Sequence, residues 1–95
     1  MSTTSIAGHK VQVEPKTIDT DDVYAISGEG APELHAACSK EGLNVSPLKD
    51  GCFHILRAVV LLEIQNSETY AREYICTGVR AAALNRTPEF DQPVR

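Results

Sequence analysis

The chain has few aromatic and few basic residues. It contains no tryptophan, and its three tyrosines and two phenylalanines make up 5% of 95 residues. Nine Lys and Arg stand against thirteen Asp and Glu, which gives a formal net charge of -4. Nucleic-acid binding needs several cations on one face, and base stacking needs exposed aromatic rings. The composition therefore predicts that nucleic acid is not a partner.

Long apolar runs and fully paired cysteines are also missing. The longest unbroken apolar run, residues 58–62, is far too short to cross a bilayer. No basic region followed by an apolar stretch opens the chain, so we expect no signal peptide. Three cysteines are an odd number, which excludes a disulfide framework that uses every thiol. These absences predict a cytoplasmic protein with reduced thiols and no membrane partner.

The length predicts one folded unit. We expect a single globular domain over residues 9–85, between a flexible N-terminus at 1–8 and a flexible tail at 86–95. A domain of this size buries only about two thirds of the surface that its unfolded chain exposes. Its stability is therefore marginal, and self-association is a common way to add to it.

The first half predicts a β-hairpin followed by a short helix. Apolar and polar residues alternate over 9–14, which is typical of a half-buried strand, and Pro15 is expected to end it. A second strand is expected at 23–26, closed by a glycine-rich turn. Residues 32–41 carry a helical apolar stripe, and Gly42 is a good stop in the left-handed position after the last turn.

The segment 52–64 is ambiguous between helix and strand. Its β-branched residues favour a strand, but its length and its lack of alternation favour a helix, which we predict. The predicted fold is thus α+β, with a short N-terminal β-hairpin, one short helix and a helical hairpin from 52 to 84. In the alternative, 43–46 and 52–64 are strands and the order becomes β-β-α-β-β-α.

The segment 67–84 has the clearest helical pattern. Ser67 is expected to cap it, and Asn85 and then Pro88 are expected to end it. Gly78 inside the helix costs about 1 kcal/mol relative to alanine, so a reason for its presence is expected. Together with neighbouring alanines it forms a smooth strip on which segment 52–64, or a second copy of the chain, could lie.

This strip predicts an interaction surface. Tyr70 and Tyr74 are four residues apart on the same helix, so their rings could form an aromatic patch next to the strip. Gly78 and Ala82 continue that face. We predict that these four residues contact another protein and that the chain forms a homodimer.

One constellation has ligand chemistry, namely His35, Cys38, Cys52 and His54. The first two are three residues apart, so a helix places both on one side. The last two are two apart, so an extended segment places both on one side. Two imidazoles and two thiolates form a reasonable tetrahedral zinc set, although this spacing is not a common finger pattern. The alternative is that the thiols are small core residues and that the protein has no cofactor.

Two weaker patterns could also indicate a chemical site. Gly28-Glu29-Gly30 lies between a strand and a helix, where anions and nucleotides can bind, but the neighbouring glutamates would repel phosphate. A Cys52 nucleophile activated by His54 would need the pair to meet, and a helix would separate them.

The leading hypothesis is therefore a non-catalytic protein that regulates or inhibits a larger protein. The alternatives are a small zinc module and a small-ligand binder.

Overall fold

The fold class is α+β, as predicted. The structure is a computed structural model that describes residues 4–66 and 69–84. Over these residues one antiparallel sheet has the strand order β1-β2-β3-β4. The chain runs through β1 (Thr4–Ile6), β2 (His9–Ile18), β3 (Asp21–Ser27), α1 (Ala31–Lys40), β4 (Phe53–Leu56), α2 (Arg57–Asn66) and α3 (Tyr70–Ala83).

The helices cover one face of the sheet. The register pairs Val13 with Ile26 and Ile26 with Phe53, so these three side chains share a face, which we call the inner face. All three belong to the buried core, together with side chains from each helix. Val23 and Ala25 alternate to the opposite, outer face, and they are buried without belonging to that core cluster. The domain therefore has two layers, with the helices packed on the inner face.

Part of the N-terminal segment, which was expected to be flexible, forms a strand. Residues 4–6 form β1, and the chain turns back at Ala7-Gly8 to pair with β2. Ile6 is buried against α3, where an added Cβ at Gly78 would lie only 3.2 Å from Ile6 Cγ2. Gly78 is thus explained by the close approach of β1 to α3. The predicted tail at 86–95 lies outside the described residues.

Pro15 was expected to end the first strand, but it does not. β2 continues through it to Ile18 and pairs with β3 along that whole length. β1 pairs only with residues 9–11, so the other edge of β2 has no strand beside it at Pro15 among the described residues. A proline has no N–H to donate, and an edge of this kind does not need one.

The segment 52–64 is neither one helix nor one strand. Residues 53–56 form β4, and α2 begins at the next residue, Arg57. Phe53 and Ile55 point inward with the two-residue period of a strand. Val60 is also buried, but it belongs to helix α2. The predicted helix is therefore wrong at its first residues. The alternative strand at 43–46 is reduced to an isolated bridge between Val45 and Ile55.

The other predicted helices are found with small shifts. The helix predicted at 32–41 is α1, and Gly42 has φ +80° after its end. The helix predicted from Ser67 begins at Tyr70 in α3, because Thr69 caps it by accepting a hydrogen bond from the Arg72 amide at 3.2 Å. Residues 67 and 85 lie outside the described residues.

An arginine on α3 joins the three helices. Arg72 Nε donates a hydrogen bond to the Glu41 carbonyl at the end of α1, and Arg72 Nη1 lies 3.8 Å from Glu63 Oε2 on α2. Both side chains of the ion pair are mostly buried, with 22% of Arg72 and 16% of Glu63 exposed. Glu63 Oε1 is buried without a hydrogen-bond partner among the described residues. The guanidinium is therefore the main compensation for this carboxylate.

Candidate interaction surface

The four residues predicted as a zinc set are not brought together. Cys38 is buried among the core residues on the inner side of the sheet. His54 pairs with Ala25 in the register, so its side chain is on the outer face. Over residues 4–66 and 69–84, no group of three or more His, Cys, Asp or Glu side chains could hold a metal ion. The sheet itself separates the Cys38 thiol from the His54 imidazole.

His35 has a structural contact instead. Its ring lies edge-on to Phe53 with 5.0 Å between centroids, and Nε2 forms a hydrogen bond of 2.9 Å with the Ser46 carbonyl. Ser46 also pairs with the backbone of His54, whose amide donates to Ser46 Oγ at 2.8 Å. These contacts hold the loop between α1 and β4 against the edge of the sheet.

The buried thiols are poor nucleophiles. Burial raises the pKa of Cys38 to about 11. Burial also raises the pKa of Cys76 to about 12, and the nearby Glu63 carboxylate adds to this shift. A nucleophilic thiol needs its pKa lowered toward neutrality, so both groups stay protonated at neutral pH. Their environment is that of core residues.

Two backbone amides at the loop 28–30 and the start of α1 are already used in hydrogen bonds within the chain. The Gly30 amide donates to the Lys10 carbonyl at 2.8 Å, and the Ala31 amide donates to the Gly28 carbonyl at 3.1 Å. Pro32, next in α1, has no N–H. A phosphate site at a helix start needs free amides pointing at the ligand. The geometry is that of a tight turn that brings α1 close to β2.

The surface predicted on α3 is divided by the structure. Tyr70 and Tyr74 stack with 5.9 Å between ring centroids, and Tyr70 is 65% exposed. Gly78 is buried beneath Ile6, and Ala82 packs against the core. Tyr70 is therefore the most exposed of the four predicted residues, Tyr74 and Ala82 are partly buried, and Gly78 is covered. Gly78 does lie at a close approach, but the neighbouring segment is strand β1 of the same chain, whereas the sequence predicts a helix there.

A second apolar surface was not predicted from the sequence. It lies on the outer face of the sheet beside the β2–β3 turn and at the start of α2. One depression of about 320 Å³ is lined by Ile18, Val23 and Leu56, among others. An adjoining one of about 330 Å³ is lined by Leu56, Ala58 and Leu61 on one side and by the turn on the other. We call these five apolar residues the outer patch, in which Leu56 belongs to both depressions.

The rim of the outer patch is acidic. Asp19, Asp21 and Asp22 line the two depressions and all three are exposed. Thr17 Oγ1 donates a hydrogen bond to Asp22 Oδ1 at 3.0 Å, and Arg57 Nη1 lies 3.9 Å from Asp22 Oδ2. Both side chains of that ion pair are more than half exposed, so it contributes little to stability. The rim therefore keeps a negative excess.

The turn that carries these aspartates is strained. Asp19 and Thr20 form a two-residue loop with φ +49° and +73°, between paired residues Ile18 and Asp21. Both central residues of such a turn have positive φ, which is why Asn-Gly and Asp-Gly are preferred there. Asp50-Gly51 follows that preference in the loop before β4. A β-branched threonine at positive φ is an outlier and costs free energy.

Replacing Thr20 by glycine is therefore expected to stabilise the protein by about 1 kcal/mol. Glycine adopts positive φ without a Cβ penalty, and this gain exceeds the extra entropy of the unfolded chain. Urea denaturation followed by circular dichroism measures the change. The matched control is Thr20→Ala, which keeps a Cβ and should gain much less. Equal stability of the two variants would contradict backbone strain at this turn.

Comparison with known proteins gives no guide to function. The chain matches no family model, no curated protein and no solved structure. Over residues 4–66 and 69–84, no helix has the length and apolar character needed to cross a membrane. Function is therefore inferred from the surface described above.

Proposed function

We propose that this protein is a non-catalytic interaction module that regulates or inhibits a larger protein by covering part of its surface. The observation that carries the proposal is the exposure of α2. Six of its ten residues are apolar, yet Val60 alone is fully buried. Leu62 is 57% exposed, and Ala58 is also exposed. A helix that is apolar on every side is normally buried on every side.

The rest of the surface supports the same proposal. Ile18 and Leu56 are 40% and 37% exposed beside α2, so the apolar area continues from the helix onto the sheet. Tyr70 adds an exposed aromatic ring on α3, in line with the surface expected from the sequence. Exposed apolar areas rimmed by polar residues are typical of protein-interaction sites. The buried thiols have raised pKa values, and the Gly30 and Ala31 amides are already hydrogen-bonded within the chain, which favours an interaction surface over a chemical site.

The proposal is tested by capture of the partner. The full chain with an affinity tag is expected to retain one protein in near-stoichiometric amount from an extract of its native cell, measured by quantitative mass spectrometry. The tag on an unrelated acidic domain is the control. If no protein is enriched over that control, the proposed function is wrong.

The homodimer and the cytoplasmic location stay predictions. Because Gly78 is buried beneath Ile6, a dimer would have to use another surface than the strip proposed from the sequence. Size-exclusion chromatography with light scattering on the captured and free protein distinguishes a dimer from a one-to-one complex with a partner.

A further inference from the structure

We infer that the outer patch binds a partner segment that is apolar on one side and carries lysine or arginine beside its apolar residues. The inference rests on the proposed function and names the chemistry of the partner. Two adjoining depressions share Leu56, so a segment lying across them can place one apolar side chain on each side of this residue. Spacing of three or four residues on a helix provides two such side chains on one face.

The charge of the rim decides which segment fits. Among the described residues, the ion pair at the rim joins Asp22 to Arg57. Over residues 4–66 and 69–84, Asp19 and Asp21 have no ion pair, and both are exposed. Three carboxylates against one guanidinium leave an uncompensated negative charge around an apolar floor. A lysine or arginine at the border of the bound segment would compensate it and would speed association.

The same charge disfavours other occupants. A second copy placed on this surface would bring its own aspartates against those of the first. Like charges brought together in an interface weaken association unless cations intervene, and among the described residues Arg57 is the cation that forms an ion pair with these aspartates. An anionic lipid surface or a nucleic acid would be repelled for the same reason. A protein segment with both apolar and basic side chains is the occupant that fits the apolar floor and the acidic rim.

A peptide titration tests this binding chemistry directly. The labelled full chain is titrated by NMR with an amphipathic peptide of leucine and lysine at helical spacing. A matched peptide has glutamate in place of every lysine. We expect the lysine peptide to bind with its shift changes centred on Ile18, Leu56 and Leu61, and the glutamate peptide to bind at least about tenfold more weakly. Raising the salt concentration should lower the affinity for the lysine peptide, because the charges of the exposed rim are screened by salt.

Two pairs of variants separate the apolar and the charged contributions. Leu56→Asp is expected to lower the affinity for the lysine peptide about tenfold or more, because Leu56 lines both depressions. Leu48→Asp is its control, since Leu48 is also 37% exposed but lines neither depression. The double variant Asp19→Asn with Asp21→Asn should weaken binding several-fold. Glu29→Gln with Glu33→Gln removes the same charge from exposed positions outside the patch and should have little effect.

The outcomes distinguish this inference from the proposed function. If the lysine peptide does not bind, or if its shift changes centre on Tyr70 and Tyr74, the inference is wrong even where a partner is captured. It is also wrong if Leu56→Asp and Leu48→Asp retain a captured partner equally well. Capture of no partner would remove the proposed function, whereas the titration would still report on the binding chemistry of the patch.

Discussion

Replacing Gly30 by alanine is expected to lower the free energy of unfolding by about 3 kcal/mol, at the upper end of ordinary overpacking. A Cβ at this position would lie 2.6 Å from the amide nitrogen and 2.7 Å from the carbonyl oxygen of Lys10. Both atoms belong to the backbone of β2, so no side chain can rotate away. The hydrogen bond from the Gly30 amide to the Lys10 carbonyl would be lost or lengthened as the segments separate.

The control for this prediction separates lack of space from backbone conformation. Gly30 has φ -89°, which any residue can adopt, so its substitution is limited by space alone. Gly51 is the reverse case, with φ +73° and no atom within 4 Å of an added Cβ. Gly51→Ala should therefore cost about 1 kcal/mol through conformation alone. Chemical denaturation of both variants gives the comparison. A smaller loss for Gly30→Ala than for Gly51→Ala would mean that β2 and α1 can move apart easily.

The limits of sequence-based prediction are clearest at the β4–α2 junction. Leu56 ends the strand and Arg57 begins the helix, without a glycine, a proline or a capping side chain between them. Such residues are the local signals by which element boundaries are recognised. Phe53 and Ile55 follow the two-residue period of a strand, and the residues after Arg57 follow the 3.6-residue period of a helix. A single helical pattern fitted across both periods therefore failed at the first residues of the segment.

Strand β1 could not be predicted because its cause is distant in sequence. A strand of three residues with one buried side chain, Ile6, has too little alternation to recognise. It forms because Ala7-Gly8 returns the chain to β2 and because Gly78 leaves room for Ile6 on α3. The sequence did indicate that Gly78 allows a close approach. It could not indicate which segment approaches.

The candidate site was missed for a related reason. The outer patch combines Ile18 from β2, Val23 from β3, Leu56 from β4 and two residues of α2, which no sequence window contains together. Its acidic residues are close together in the sequence at 19–22, but the apolar floor beside them depends on the sheet register. Tyr70, which the sequence proposes for an interaction surface, is an exposed ring on a single helix, and its role in binding stays a prediction.

The substitution Arg72→Met is expected to cost about 2–3 kcal/mol, somewhat less than breaking a fully buried ion pair. Methionine keeps much of the packing of the arginine stem but removes the charge and the donor. The Glu63 carboxylate would then stay mostly buried without its guanidinium, and the Glu41 carbonyl would lose its hydrogen bond. Urea denaturation at neutral pH measures the loss, and Arg80→Met on the exposed side of α3 is the control, expected within about 0.5 kcal/mol of the parent.

A double-mutant cycle shows whether the unpaired carboxylate is the cause. Glu63→Gln removes the charge while keeping the shape, so in the Arg72→Met background it should recover about 1 kcal/mol or more of the loss. The recovery is expected because an uncompensated buried charge costs more than a buried amide. If Glu63→Gln destabilises the Arg72→Met variant as much as the parent, the two side chains are not coupled. The role of Arg72 would then lie in its hydrogen bond to Glu41, which ties the end of α1 to α3 independently of α2.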